Sequence, residues 1–342
     1  MQFKKALTKA IPAKTARFFT PGHKGTLSPL DVTETHGTDD LHSPNGIIAE
    51  AQQRAANAFN AAQTFFLTGG STLGNQTMIY AAFLNRTHQT NKILVNAHCH
   101  VSVTNTCRLL GLTPIFVEAP TLPHWNVQNA IPAAEIAQAL AAHPDSLAVL
   151  VTSPTYFGVC SDIPPMSAIC RFHNVPLLID QAHGAHLPFH PKLPLDAMSA
   201  GADLCTQSAH KTLPALTQTA YLHRHASSII PAAIVQEALN VFQTTSPSYL
   251  FIESLDSARQ VMEEEGEKRL EWLIKECKKV RKNVTCLEGK NIDVTRLVFK
   301  GDEHYLRKKG IWIEQQFDDN TICIPTICNT KKDFRRLIKC VS

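Results

Sequence analysis

The sequence contains no apolar run that approaches the roughly 18 residues a membrane-spanning helix needs. Its N-terminus, MQFKKALTKAIPAKTARFF, also lacks an apolar stretch of signal-peptide length. The net charge is only +4 and lysine and arginine form no dense cluster, which argues against a nucleic-acid surface. The ten cysteines include no C-x-x-C motif, so neither a disulfide framework nor a zinc site is indicated. We therefore expect a cytoplasmic protein with reduced thiols and no membrane or nucleic-acid partner.

The composition that is present indicates a globular protein. Hydrophobic residues make up 44% and charged residues 18% of the 342 residues, enough to bury a large core. We find no internal repeat, but three regions differ in texture. They are an N-terminal segment, 1–60, expected to wrap another surface, a large domain, 61–230, and a helix followed by a small C-terminal α/β domain, 231–342.

The large domain alternates short apolar runs with helical patterns, which is typical of a mainly parallel sheet covered on both faces. This pattern predicts an α/β fold with a seven-stranded sheet. The predicted strands are Thr64–Leu67, Lys92–Val95, Thr113–Val117, Leu147–Thr152, Pro176–Ile179, Leu204–Gln207 and Thr219–His223. The predicted helices between them are 73–85, 101–110, 132–142 and 165–173.

The two flanking regions contain fewer sequence patterns that predict helices or strands. Pairs such as Pro21-Gly22 and Asn45-Gly46 mark turns in the N-terminal segment, which ends in a predicted helix over 47–62. The C-terminal region begins with a predicted helix over 230–282, whose glutamates precede its lysines as the helix dipole favours. Three predicted strands and a last helix follow, at Val294–Phe299, Ile311–Glu314, Thr321–Ile324 and 331–340.

The segment FFLTGGSTLGN indicates a phosphate site at the start of a helix. A strand runs into Gly69-Gly70-Ser71-Thr72 and then into a helical pattern. Glycines let a ligand approach the backbone, and a helix N-terminus offers unpaired N–H groups to an anion. Ser71 and Thr72 add hydroxyl donors. The alternative is an ordinary helix cap without a ligand.

Two further motifs follow later strands of the predicted sheet. In LLIDQAHGAH, Asp180 comes at the carboxyl end of a strand, where open α/β sheets bind ligands. A carboxylate there can pair with a cationic ring nitrogen. His183 and His186 form an H-x-x-H pair, but further ligands are not evident, so we predict no metal. In QSAHK, Lys211 follows a strand in a hydroxyl-rich loop, where a lowered pKa would let it form an imine with an aldehyde.

The three elements occur in the order that a pyridoxal-phosphate (PLP) site needs: a phosphate cradle, a carboxylate for the ring nitrogen and a lysine for the imine. The sequence also resembles a known family, the bacterial ornithine/lysine/arginine decarboxylases of PLP fold type I. The matching segments are TPGHKGT at 20–26, DDLHSPNGIIAEAQ at 39–52, FFLTGGSTLGN at 65–75, AHCHVSV at 97–103, SPTYFGVCSDI at 153–163, DQAHGAH at 180–186 and QSAHKTLPALTQ at 207–218. The combination is much more specific than any one motif.

The resemblance implies a role for each matching residue. Lys211 would hold PLP as a Schiff base, and Asp180 would keep the ring nitrogen protonated so that the ring acts as an electron sink. Ser71, Thr72 and Ser208 would bind the phosphate.

Four further residues are expected near the cofactor. His100 would stack on the ring, although it could instead be a packed core histidine. His183 would contact the ring, His210 would lie near the phosphate or the reacting centre, and Thr155 would lie near the cofactor's hydroxyl.

The implied function is decarboxylation of a basic amino acid, arginine, lysine or ornithine, to its amine, as in polyamine biosynthesis. The implied assembly is a homodimer with active sites near the interface. The PGHKG loop and the Asp39-Asp40 turn resemble segments that approach the site across that interface, although they could equally be structural loops that wrap the large domain.

Two departures from the family pattern keep alternatives open. Gln181 follows Asp180 where members commonly have glutamate, and the chain ends at Ser342 where members continue, so it resembles a short member with a reduced C-terminal region. The alternatives are another PLP reaction, such as that of an aminotransferase or a lyase, and a catalytically silent paralogue that serves as an assembly partner.

Overall fold

The N-terminal part contributes two helices to the fold. The structure is a computed structural model that describes residues 2–12, 14–86 and 89–341. Helix α1 (Gln2–Ala10), which the sequence patterns did not predict, buries Phe3 and donates a hydrogen bond of 3.1 Å from its backbone to Asp256. Helix α2 (Ile47–Ala58) is shorter than the predicted 47–62. Asn60 takes a left-handed backbone with φ 53°, which ends the helical path.

A seven-stranded sheet follows. In chain order the next elements are β1 (Gln63–Leu67), α3 (Gly70–Leu84), β2 (Lys92–Asn96), α4 (Val101–Leu109), β3 (Thr113–Val117), β4 (Thr121–Leu122), β5 (Val127–Gln128), α5 (Ala133–Ala142), β6 (Val149–Thr152), α6 (Ile163–Phe172), β7 (Leu177–Asp180), a 3-10 turn (Leu187–Phe189), β8 (Leu204–Ser208), α7 (Ala209–Thr212) and β9 (Ala220–Arg224). The strand order is β1-β9-β8-β7-β6-β2-β3, and only β9 pairs antiparallel, with both of its neighbours. This confirms the predicted mainly parallel sheet.

The central strands are apolar on both faces because both faces are covered. Along β7, Leu178 packs into one buried cluster, while Leu177 and Ile179 pack into another on the opposite side. This alternation is the two-residue period of a strand. Strands β6, β7 and β8 are parallel, so their carboxyl ends, including Asp180 and Ser208, lie at one edge of the sheet.

The C-terminal region contains two helices and a small sheet. Its elements are α8 (Ala232–Phe242), α9 (Tyr249–Asn283), β10 (Leu297–Lys300), α10 (Glu303–Lys308), β11 (Gln315–Phe317), β12 (Asn320–Cys323) and α11 (Lys331–Val341). The predicted single helix over 230–282 is wrong, because residues 243–248 interrupt it. Pro247 lies in that break, and proline disfavours helical backbone at the residue before it.

The predicted strand at 311–314 is also wrong. The strand is β11, which pairs with β12 across a tight turn at Asp318-Asp319, where Asp318 has φ 51°. The turn fixes which residues pair, and this decides the register. Strand β10 starts at Leu297, three residues after the predicted start at Val294.

One buried cluster joins the three regions of the sequence, since Phe3, Phe66, Leu273 and Phe334 all belong to it. Because the three regions share this core, the structure does not test the predicted division into 1–60, 61–230 and 231–342. All ten cysteines are free thiols, and seven of them are buried. Among the residues that the structure describes, no helix has the length and apolarity to cross a membrane.

Candidate active site

The predicted phosphate cradle lies at the first turn of α3. Gly70 has φ 70°, a backbone conformation that glycine adopts without strain. The buried Ser71 hydroxyl accepts a hydrogen bond of 2.9 Å from Ser208, which ends β8, and Thr72 is exposed on the same turn. The turn therefore combines two hydroxyls from distant positions with the free N–H groups of a helix start.

Asp180 is a buried carboxylate that neutral donors surround. Its side chain is 2% exposed, and it accepts hydrogen bonds of 2.8 Å from the Asn75 amide and 3.1 Å from the Ala182 backbone. Within the described part of the chain it forms no ion pair with a lysine, arginine or histidine. Burying an ionised carboxylate is costly unless it is paired, so a cation placed here would be stabilised.

Asn75 was not predicted, and it connects Asp180 to His100. Its amide also donates to Ser102, at 2.9 Å, and the Ser102 hydroxyl lies 2.8 Å from His100 Nδ1. His100 caps α4 by accepting a hydrogen bond from the Ser102 backbone. The ring is exposed, so the alternative of a packed core histidine does not hold. The sequence could have indicated Asn75, because it follows Ser71 by four residues and so lies on the same face of the predicted helix.

Lys211 lies in the short helix α7, directly after β8. Its Nζ atom is 3.2 Å from Nε2 of His183, and burial lowers the pKa of the lysine. His210 turns the other way and donates from Nδ1 to the Thr219 carbonyl, at 3.0 Å. The structure therefore brings Lys211 and His183 together and leaves His210 beside them with a backbone partner.

His183 lies between Lys211 and a second residue that was not predicted, Arg296. The guanidinium of Arg296 is 3.0 Å from Nδ1 of His183, and the Tyr156 ring meets His183 edge-on, with centroids 5.3 Å apart. Burial holds the pKa of His183 well below its ordinary value. No sequence signal links Arg296 to the site, because 113 residues separate it from His183.

The H-x-x-H pair does not converge on one point. His186 pairs with the buried Asp293, at 3.1 Å, whereas His183 faces Lys211. Three or more metal-ligating side chains do not cluster anywhere in the ranges that the structure describes. Thr155 lies in the loop after β6 and binds the backbone of Val159, at 3.2 Å. The described contacts do not connect it to the other candidate residues.

The fold and the position of these side chains define a class of protein. A mainly parallel seven-stranded sheet with the candidate site at the carboxyl edge of its strands is the arrangement of PLP fold type I enzymes. Residues 25–312 match the family described as Orn/Lys/Arg decarboxylase, major domain. The chain belongs to this family.

Curated relatives and solved structures agree with this assignment. The chain is 38% identical to the uncharacterized protein YaaO of Bacillus subtilis, over 75% of this chain and 55% of YaaO. It is 32% identical to an arginine decarboxylase of Halalkalibacterium halodurans, over 95% of this chain and 73% of the relative. Lysine decarboxylase A from Pseudomonas aeruginosa has the same fold, with a TM-score of 0.85, 20% identity and coverage of 99% of this chain and 59% of that one. The chain thus spans little more than half the length of two of these proteins.

The residues at the site fit PLP. Asp180 is a buried carboxylate that forms no ion pair with any residue the structure describes, and a protonated ring nitrogen would supply a positive partner. The Ser71–Ser208 pair at the start of α3 offers hydroxyls and backbone N–H groups to a phosphate. Lys211 is half-buried and has a lowered pKa, as a lysine that attacks an aldehyde requires.

Proposed function

We propose that this chain is a PLP-dependent decarboxylase that converts a basic amino acid, arginine, lysine or ornithine, into its amine. The observation that carries the proposal is the pairing of two groups at one edge of the sheet. One is the buried carboxylate of Asp180, and the other is Lys211 in contact with a neutral His183. The family membership supports the reaction type, and the relatives with assigned names support a basic substrate.

Six residues would hold the cofactor. Lys211 would bind its aldehyde carbon covalently, and Asp180 would pair with its ring nitrogen. His100 would cover one face of the ring, and three hydroxyls would bind the phosphate, those of Ser71, Thr72 and Ser208. When bound, PLP supplies an electron sink that accepts the electron pair left by departing CO2.

The chain's own residues would prepare the site for that chemistry. Asn75 orients the Asp180 carboxylate, and the Ser102 hydroxyl links the same amide to His100. His183 holds the Lys211 amine at 3.2 Å, where a proton can pass between the two nitrogens. His183, His210 and Thr155 would lie close to the cofactor. Because Nδ1 of His210 already donates its proton to the Thr219 carbonyl, only Nε2 of that ring could accept another proton.

We also propose that the chain acts as a cytoplasmic homodimer with sites near the interface, and that its product enters polyamine biosynthesis. The support for the dimer is the family resemblance of the PGHKG loop and the Asp39-Asp40 turn. In the structure, Asp39 accepts backbone hydrogen bonds from Asn45, Gly46 and Ile48, so the turn has a fixed shape. A fixed turn is suited to an interface as well as to an internal role.

The test is CO2 release from purified, PLP-loaded protein offered arginine, lysine and ornithine separately. The Lys211→Ala variant serves as the blank. We expect release with one of the three substrates and the matching amine as the product. A bound cofactor without release from any of them would contradict the proposal and favour another PLP reaction or a catalytically silent paralogue.

A further inference from the structure

Three side chains form a hydrogen-bonded line that ends on the candidate catalytic lysine. Arg296 Nη2 is 3.0 Å from His183 Nδ1, and His183 Nε2 is 3.2 Å from Lys211 Nζ. Arg296 is 2% exposed and His183 7% exposed, so water does not substitute freely for either partner. The line is therefore a defined part of the site.

The chemistry of the three groups leaves one arrangement of protons. A guanidinium has only N–H donors and keeps its proton in proteins, so Arg296 must donate and His183 Nδ1 must accept. A neutral imidazole that accepts at one nitrogen carries its proton on the other. Nε2–H of His183 therefore donates to Lys211, and Lys211 Nζ can accept only if it has a lone pair.

We propose that Arg296 is a positioning residue that fixes the Nε2–H tautomer of His183 and thereby holds Lys211 as the neutral amine. The tautomer follows from the contacts alone. Its consequence for catalysis rests on the proposed function, since a neutral amine is the form that attacks an aldehyde.

The same side chains set the charge balance at Lys211. Burial is the largest effect and lowers the pKa of the lysine; Asp180 raises it, Arg296 lowers it, and Glu314 raises it. The two carboxylates favour the ammonium form, whereas burial and Arg296 favour the neutral amine and prevail. The hydrogen bond from His183 acts in the same direction as burial, because its acceptor must have a lone pair.

The charges around His183 all act in one direction. Burial lowers its pKa most, and the guanidinium of Arg296 is the next largest cause and lowers it further. A doubly protonated ring would also direct an Nδ1–H group at the guanidinium, where two donors cannot bond. His183 is therefore neutral, which the proton arrangement requires.

Arg296 is held in place by contacts far from Lys211. A side-chain carbon on Gly158 would lie 2.6 Å from the Arg296 Cβ, so only glycine allows this close approach. Arg281 donates to the Arg296 carbonyl at 2.8 Å, and the Arg296 backbone donates to Asp293 at 3.0 Å. These contacts fix the backbone and Cβ of Arg296, from which the buried guanidinium reaches His183.

The first test needs no cofactor, and it uses a variant only to assign a signal. Long-range ¹H–¹⁵N spectra of the full chain, labelled on histidine and freed of PLP, report which ring nitrogen carries the proton, and a His183→Gln sample assigns the signal. We expect the proton on Nε2 of His183. A proton on Nδ1, or on both nitrogens, near neutral pH would overturn the proposal.

The second test removes the donor. Arg296→Met should move the proton of His183 to Nδ1, so that Nε2 accepts from an ammonium, and should raise the pKa of Lys211 by about one unit or more, as a lost hydrogen bond and charge do. The pKa is followed by ¹³C NMR of lysines labelled at Cε, with Lys211→Ala to assign the signal. An unchanged tautomer or an unchanged pKa in this variant would overturn the proposal.

Tyr156→Phe is the matched control. It removes a hydroxyl from a ring that meets His183 edge-on, but it leaves the Arg296–His183 hydrogen bond in place. We expect the His183 tautomer and the Lys211 pKa to match those of the unaltered chain. If both changed as much as in Arg296→Met, the effect would not be specific to the Arg296 hydrogen bond. Neither readout requires PLP binding or turnover, so failure here is distinguishable from failure of the proposed function.

Discussion

The two halves of the candidate site are built on opposite principles. In the carboxylate half (Ser71, Asn75, Ser102, Asp180 and Ser208), neutral donors surround one buried anion. The lysine half (Lys211, His183 and Arg296) places a neutral ring between two basic groups. The carboxylate half would stabilise a bound cation, whereas the lysine half disfavours the charged form of Lys211. The comparison shows how one edge of a sheet can present both a carboxylate and, under the proposal above, a neutral amine.

The halves also differ in where their residues come from. Every residue of the carboxylate half lies in or next to the strands and helices of the seven-stranded sheet. The lysine half depends on Arg296, which precedes β10 in the C-terminal region. Changes in the contact between the sheet and the C-terminal region should therefore disturb the lysine half first.

The largest effect is expected from Lys211→Ala. Without the amine, the cofactor has no covalent attachment, so the visible absorbance of lysine-bound PLP should disappear and turnover should fall by at least about 10³-fold, the scale for removing a covalent catalytic group. The fold should remain intact, because the Lys211 side chain is only half-buried and its amine bonds to the His183 side chain. Absorbance, CO2 release and thermal unfolding measure the three outcomes.

Lys192→Ala is the control, because Lys192 is an exposed lysine that pairs with Glu271. It should keep both the absorbance and the turnover. A yellow, lysine-bound cofactor that persists in Lys211→Ala would show that another lysine holds PLP.

The next largest effect is expected from Asp180→Asn, which keeps the shape of the carboxylate half but removes its charge. A ring nitrogen without an anionic partner loses its proton more readily, so turnover should fall by about 10² to 10³-fold, the scale for losing one preorganised electrostatic partner. Cofactor absorbance should shift, while Lys211 still binds the cofactor. Steady-state kinetics and absorbance spectra measure both.

Asp203→Asn is the matched control, since Asp203 is also a buried aspartate but lies at the opposite edge of the sheet. It accepts hydrogen bonds from the backbones of Leu177 and Ile229, at 2.9 and 2.8 Å. This variant should lose stability and keep its turnover per folded molecule. Equal losses of turnover in the two variants would mean that the Asp180 effect is structural.

The carboxylate half could largely be predicted from sequence because its signals are local. Apolar runs of strand length place Asp180 and Ser208 at strand ends, and parallel strands bring those ends to one edge of the sheet. Lys211 was found in the same way, since it follows β8. The strand order was not predicted, because the apolar runs do not show which strands are neighbours.

The lysine half could be predicted only in part, because its contacts depend on tertiary structure. Arg296 lies 113 residues from His183, and only the folded chain shows that they meet. Helix α1 was missed for the same reason, since its nine residues are held by contacts with distant parts of the chain such as Asp256. The register of β11 depends on a turn and not on its apolar residues.

A moderate effect is expected from Asp293→Asn, which weakens the buried link between the sheet and the C-terminal region. Asp293 pairs with His186 at 3.1 Å and accepts two hydrogen bonds from Thr295. Losing the charged acceptor should lower the free energy of unfolding by about 1.5–3 kcal/mol, the scale for hydrogen bonds to a charged group. Chemical denaturation measures the change.

Asp293→Asn should also affect the lysine half of the site without affecting the carboxylate half. Arg296 follows Asp293 by three residues, so the NMR signals of His183 and Lys211 should move while that of Asn75 stays. Asp318→Asn, in the exposed turn of the same region, is the control and should change neither stability nor the spectra. Signals that move equally in both halves would contradict the separate origins of the two halves.

The smallest effect is expected from Glu271→Gln, which removes a surface link between the same two regions. Glu271 lies on α9 and accepts a hydrogen bond of 2.7 Å from Lys192, in the loop after the 3-10 turn. The Lys192 hydrogen bond is the main cause that lowers the pKa of Glu271 from 4.5 to about 2. Because the pair is solvent-accessible, the variant should lower the melting temperature only slightly, and added salt should reduce the difference.

The stabilising effect of Glu271 should depend on pH. A carboxyl whose pKa is lower in the folded state stabilises the fold above its unfolded value of about 4.5, and this contribution is lost as the pH falls toward about 2. The difference between Glu271→Gln and the unaltered chain should therefore be present near neutral pH and vanish over that acid range. Glu265→Gln, which breaks a pair with Arg269 inside α9, is the control for a link within one helix. A difference that stays constant through the acid range would show that the glutamate acts by packing, leaving Asp293 as the charge-dependent link between the two regions.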